Sequence, residues 1–228
     1  MTGALESPEI RLRSEGGLEL AARVWYLRDP MLAISSAPLG GGLGLRQWVL
    51  NVQVAHAYDG AEPGSHLEAL AAEAGAQGLG VGMMTAVDVR VASTVQGEGI
   101  AVDATVGVIG AALWAAAPGP SSRLPGAAVA PAPGTIKPGT INIVVALPER
   151  LSDAALVNAI GTATEAKTQA LWDAGVDGTG TATDALCLLC PPRGDAHAYG
   201  GPRSLWGARL ARVVYHAVRV GCGPVEPS

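Results

Sequence analysis

The sequence predicts an α+β domain with a mixed β-sheet, and three observations lead there. Short β-rich segments punctuated by Gly dominate the first half, and strand-helix alternation appears only late. Two runs, 140–147 and 183–190, are almost wholly apolar, as strands buried on both faces are. With 228 residues and 49% hydrophobic content, the chain reads as a single domain, 1–228, around one core. There is no Phe and only 4% aromatic content, so Ala, Val, Leu and Gly must carry the packing.

In chain order, 9–13 and 18–27 read as a hairpin turning at Gly16-Gly17. Residues 32–36 form another short strand, which runs through Pro38 into Gly40-Gly41-Gly42, and 47–54 resumes strand character. The first helix is expected at 63–74, with Ser65 as a possible cap and Gly75 as its end. Segments 81–95 and 100–108 are β-rich and meet around Gly97-Glu98-Gly99, a second hairpin signal. Residues 115–135 are mostly Ala, Pro and Gly, a composition that predicts a flexible surface loop. After strand 140–147 comes the longest helix, 151–174, capped by Ser152 and stopped by Gly175. Strand 183–190 ends at Pro191-Pro192, and 204–220 is the closing helix.

Composition also excludes function classes. A net charge of −5 with dispersed Lys and Arg provides no basic patch for nucleic acid or an anionic membrane. Residues 1–13 lack the apolar core of a secretory signal, and no apolar run approaches twenty residues, so membrane insertion is not expected and the expected compartment is the cytoplasm. Cys187 and Cys190 spell C-x-x-C, but on a strand residues three apart face opposite ways, so they read as two buried thiols rather than a metal or redox pair. His56, His66, His197 and His216 show no metal-ligand spacing. Asp195-Ala196-His197 with Gly200 matches a short cobalamin-binding pattern, yet only 28 residues follow Gly200, too few for the unit that pattern opens.

Polar residues inside the apolar segments mark the candidate site, since burying them unpaired is costly. They are Gly139-Thr140-Ile141-Asn142, Thr164-Glu165-Ala166-Lys167 and Gly180-Thr181-Ala182-Thr183-Asp184. Projected at about 100° per residue, the long helix places Leu156, Ile160, Ala163, Ala170 and Leu171 on one face, with Lys167 among them. Asn158, Thr162, Glu165 and Gln169 fall opposite. A lysine so placed snorkels, pairs with a buried carboxylate or sits neutral at a site, and Asp184 and Asp88 are the carboxylates to test. Glu165 is a solvated charge unless another layer covers its face. Ser35 and Ser36 precede the glycine run as a nucleophile beside backbone N–H donors would, but there is no G-x-S-x-G elbow, and a tight loop explains them equally well.

Taken together, these segments resemble the adenosylcobinamide amidohydrolase (CbiZ) family. The resemblance rests on Ser36-Ala37-Pro38 with Gly40-Gly41-Gly42, Asn51-Val52-Gln53-Val54 with Tyr58, and Gly82 through Val89 with Thr85 and Asp88. It continues through the three polar motifs above and Tyr199 with Gly200-Gly201 and Gly207, covering residues 18 to 220. One departure stands out: after Thr105-Val106-Gly107, where a polar Ser-Asn-like pair is expected, the chain has Val108-Ile109-Gly110.

The resemblance implies hydrolysis of the amide joining the aminopropanol arm to the corrin ring of adenosylcobinamide, giving adenosylcobyric acid and aminopropanol. That is a step of corrinoid salvage or cobamide remodelling in cobalamin biosynthesis. The alternative is a corrinoid carrier that lacks the chemistry. Candidate catalytic residues are Lys167 and Asp184 as an acid-base centre, Thr183 or a water held by it as the attacking group, and Glu165. Ser36, Gly41, Gly42, Asn51, Thr85, Asp88 and Asn142 are candidates for substrate binding. No metal or cofactor is called for, the corrinoid being substrate, and a homo-oligomer stays open. Trp48, Trp114, Trp172 and Trp206 are candidates to line a pocket for a flat ligand.

Overall fold

The computed structural model describes residues 6–56, 58, 62–116 and 139–223. β1 (Glu9–Glu15) and β2 (Leu18–Ser35) form the expected hairpin, with Gly16 and Gly17 both at positive φ as a two-residue turn of this hand requires. The two strands expected at 18–27 and 32–36 are one strand, broken only by a bulge between Tyr26 and Met31. β3 (Gly42–Gln53) runs antiparallel to β2, and α1 (Pro63–Glu73) carries the chain to β4 (Gly80–Thr85), parallel to β3. Ser65 does not cap α1, because the helix already begins at Pro63, whose fixed φ suits a first helical position.

Instead of continuing to 95, the next strand stops at Thr85. Asp88 caps a single 3-10 turn at Val89–Val91 by accepting from the Arg90 amide, and β5 (Ser93–Gly97) and β6 (Ile100–Val106) then form the second hairpin. The loop expected at 115–135 falls almost wholly outside the described residues. β7 (Ile141–Ala146), α2 (Asp153–Asp173), β8 (Ala185–Cys190) and α3 (Leu205–Gly221) complete the chain, and Ser152 and Ser204 cap the two helices.

The sheet order is β4-β3-β2-β8-β7-β6-β5, with β1 on β2. Its two parallel pairs, β3/β4 and β7/β8, are each joined through a helix, as parallel neighbours must be. Side-chain hydrogen bonds link β3 to β6 and β7, strands far apart in that order, so the sheet is curled with its halves facing one another. α2 and α3 cover the outer side of β6, β7 and β8, and α1 covers β3 and β4.

β8 displays the alternation directly. Leu186, Leu188 and Cys190 pack toward the helices, whereas Ala185, Cys187 and Leu189 pack inward with Trp25, Val49 and Met83. The two cysteines therefore lie on opposite faces, and burial pushes the Cys187 thiol up to about 12. Inside the curl, Arg23 pairs with Asp103 at 2.6 Å, and Thr94 donates to the same carboxylate at 2.7 Å. Among the described residues no helix is long and apolar enough to cross a membrane.

Candidate active site

Six segments of the chain, Ala111 alone forming one of them, meet at one cleft of about 580 Å³. Its walls come from the loop after β2, the C-terminal ends of β3 and β4, and the residues leading into β7 and β8. Ser36, Thr85, Asn142, Thr183 and Asp184 all line it.

Lys167 lies on the buried side of α2, 5% exposed, and pairs with Asp184. Of the three readings open to this lysine, the paired one is realised; Asp88, the other carboxylate considered, pairs with Arg90 instead, which holds its carboxyl below the usual range. Asp184 also accepts from the Thr181 hydroxyl at 2.6 Å, the Thr181 amide at 3.1 Å and the Ile141 amide at 2.9 Å. The carboxylate thus ties the turn before β8 to the first residue of β7. Gly180 makes this possible, because a Cβ there would stand 2.3 Å from the Asp184 carboxylate and 2.5 Å from Lys167 Nζ.

The turn so fixed presents Thr183, whose hydroxyl lies 2.6 Å from that of Thr140. If Thr183 donates, Thr140 keeps a proton to direct into the cleft; if Thr140 donates, the Thr183 proton faces the Gly139 carbonyl at 3.4 Å, a long bond that a ligand in the cleft can replace. Beside them, Asn142 Nδ2 donates to Asn51 Oδ1 at 2.8 Å and to the Met84 carbonyl at 3.1 Å, while Asn51 Nδ2 donates to Thr105 at 3.1 Å. Both amide hydrogens of Asn142 are therefore spent on the protein, and its buried Oδ1 has no partner. The Thr85 hydroxyl accepts from the Val87 amide.

Other candidates stand elsewhere. Glu165 is exposed on the outward side of α2, and neither it nor Asp88 lines the cleft. Gly41 and Gly42 are exposed as well, and Arg46 occupies the carbonyls of Gly40 and Gly41. Ser35 and Ser36 both bond the backbone of Leu186, pinning their loop to β8. None of the four tryptophans considered lines the cleft: Trp48 packs under Gly80, Trp114 and Trp172 meet edge-on at the surface, and Trp206 packs against His197. Thr162, projected onto the polar face of α2, is buried because the 200–201 loop covers it and its hydroxyl donates to the Gly200 carbonyl. Gly200 and Gly207 serve that same close packing, and His197 joins it through backbone bonds with Arg150 and Ser152.

Sequence reasoning missed Thr140, His56 and the pairing of Tyr58 with His66, all at or beside the cleft. Thr140 was within reach, since it belongs to the polar stretch Gly139-Thr140-Ile141-Asn142; a tyrosine in a loop and a histidine on a helix carry no spacing signal. The Val108-Ile109-Gly110 departure turns Val108 into the core and exposes Ile109, and the next residue, Ala111, lines the cleft wall. Among the described residues no group of three or more His, Cys, Asp and Glu is placed to hold a metal ion.

The sequence profile of the adenosylcobinamide amidohydrolase family matches residues 8–224. A protein of Methanosarcina mazei named adenosylcobinamide amidohydrolase is 26% identical over 212 residues, covering 86% of this chain and 96% of its own. A second of that name, from Halobacterium salinarum, is 38% identical over 120 residues, covering 53% of this chain and 48% of its own. On a match that takes in nearly the whole chain, the protein belongs to the adenosylcobinamide amidohydrolase family.

Proposed function

We propose that this protein hydrolyses the amide between the aminopropanol arm and the corrin ring of adenosylcobinamide, releasing adenosylcobyric acid and aminopropanol. The observation that carries this reading is the convergence of Ser36, Thr85, Asn142, Thr183 and Asp184 on one cleft in a chain of this family. A cleft of about 580 Å³ lies within the range that encloses a drug-sized ligand, so it takes the arm and one edge of the macrocycle, with the rest of the ring resting outside.

Amide hydrolysis requires a positioned water, a donor for the tetrahedral oxyanion and a proton for the departing amine. The Thr183–Thr140 pair supplies the hydroxyl that holds the water or the carbonyl oxygen, the long 3.4 Å contact of Thr183 with the Gly139 carbonyl giving way to it. Lys167 and Asp184 position that pair: with four donors on it, the Asp184 carboxylate is better suited to bracing than to taking a proton. Asn142, with both amide hydrogens spent and its Oδ1 buried, shapes the cleft through Asn51 and Met84 and is not an oxyanion donor.

Incubation of the purified protein with adenosylcobinamide, with chromatographic separation of the corrinoids and detection of aminopropanol, tests the reading. Both products should appear in equal amounts. Binding of the corrinoid without either product would replace the enzyme by a carrier.

A further inference from the structure

Resting on that reading, we propose that Tyr58 protonates the departing amine and that His66 resupplies its proton, with the Glu15 carboxylate favouring proton uptake from solvent at the far side of the imidazole. Tyr58 lines the cleft, and its hydroxyl lies 3.1 Å from His66 Nδ1, the two rings 5.4 Å apart. The other ring nitrogen, Nε2, lies 3.9 Å from Glu15 Oε2. Glu15 in turn is held by Arg13 at 2.8 Å, and Arg13 donates to the carbonyl of Gln53 at the end of β3. Its carboxylate is 39% exposed. A chain of polar groups thus runs from the cleft through an imidazole to solvent, with the phenol at its inner end.

Of the other titratable groups at the cleft, His56 lines it without a link, among the described residues, to a second proton carrier, and the remaining two are engaged. Lys167 is committed to Asp184, and Asp184 is saturated. β1, an appendage to the main order of the sheet, gains a purpose, since it delivers Arg13 and Glu15 to the outer end of the chain.

The step balances as follows. Water adds to the carbonyl carbon and yields one proton to solvent; the C–N bond breaks with its electron pair going to nitrogen. The nitrogen takes the phenolic proton of Tyr58, His66 Nδ1 returns a proton to the phenolate, and Nε2 takes one up on the side of Glu15. An alkylamine is a poor leaving group unless protonated, whereas a nitrophenol leaves as a stable anion. That difference isolates the step.

Tyr58→Phe, His66→Gln and His56→Ala are to be compared with the wild type on adenosylcobinamide and on the nitrophenyl ester of adenosylcobyric acid. Tyr58→Phe should lower kcat on the amide by about 10²-fold or more with KM little changed, and leave ester turnover within a few-fold. His66→Gln should show a smaller loss, again confined to the amide. Equal losses on both substrates would reduce Tyr58 to a structural role, and an amide-selective loss in His56→Ala alone would transfer the role to His56, which also lines the cleft. Wild-type protein that cleaves neither substrate would instead overturn the hydrolase reading, and this inference with it.

Discussion

Lys167, from the buried side of α2, ends on the carboxylate of Asp184, and Thr181 and Ile141 fill that carboxylate's other positions. A carboxylate has about four lone-pair sites, and here each has a donor. The pair is therefore read through what it holds in place: the turn that carries Thr183 to Thr140.

Removing one partner should cost more than removing both. Lys167→Met leaves a buried carboxylate without its cation, a loss of about 3–5 kcal/mol, whereas Lys167→Met with Asp184→Asn discards both charges and should recover part of it, the Asn NH2 being left facing an amide N–H of Thr181 or Ile141. Urea denaturation measures the stabilities, and aminopropanol release measures turnover. Turnover should return in part with the double substitution. A stable but dead double variant would show that the charges themselves enter the chemistry.

Gly180→Ala probes the same brace from outside. The added methyl falls on Asp184 and Lys167 Nζ: the carboxylate retreats only by breaking bonds to Thr181 or Ile141, and the ammonium only by breaking its pair with Asp184. Overpacking of this kind costs about 1–3 kcal/mol. Turnover should fall along with thermal stability, and a variant as stable and active as the wild type would mean the turn has slack that the geometry denies it.

Much of this was legible in the sequence because it is periodic or local. The apolar runs before and after α2 gave β7 and β8, and the 3.6-residue period put Lys167 on the buried face. The split of Cys187 from Cys190 followed from the period of two in a strand. The curl of the sheet was not legible: Asn51 meets Asn142 at a sequence separation of 91, and no local pattern encodes that approach. Glu165, by contrast, was placed by the same helical period: the projection put it opposite Lys167, and it lies exposed on the outward side of the helix. The Tyr58–His66–Glu15 chain depends on a loop, a helix and a strand meeting, which only tertiary packing specifies.

Thr183→Val keeps the shape of the side chain and removes its hydroxyl. Because Thr183 is exposed, stability should change by about 1 kcal/mol or less. Turnover should fall by about 10²-fold or more, the loss expected for a single positioned donor. Thr183→Ser, which retains the hydroxyl, should stay within about tenfold. Steady-state assay of all three proteins on adenosylcobinamide decides it, and equal activity of the Val variant would move the polar focus of the cleft to Thr140.

Asp103 gives the protein a pH dependence separate from catalysis. Burial raises its carboxyl above the usual range, more than Arg23 and Thr94 together lower it. In the acid interval between the unfolded value, about 3.9, and the raised folded one, the folded state keeps a proton that the unfolded chain has released. The contribution of this group to stability is therefore fully present below the unfolded value and lost as pH rises through the folded one. Asp103→Asn removes the titration but keeps a partner for Arg23. The difference in unfolding free energy, wild type minus variant, should shrink as pH rises through the acid range and then level off, as measured by urea midpoints in a pH series. A difference that grows with pH would mean that Arg23 outweighs burial and that the pair is held by charge.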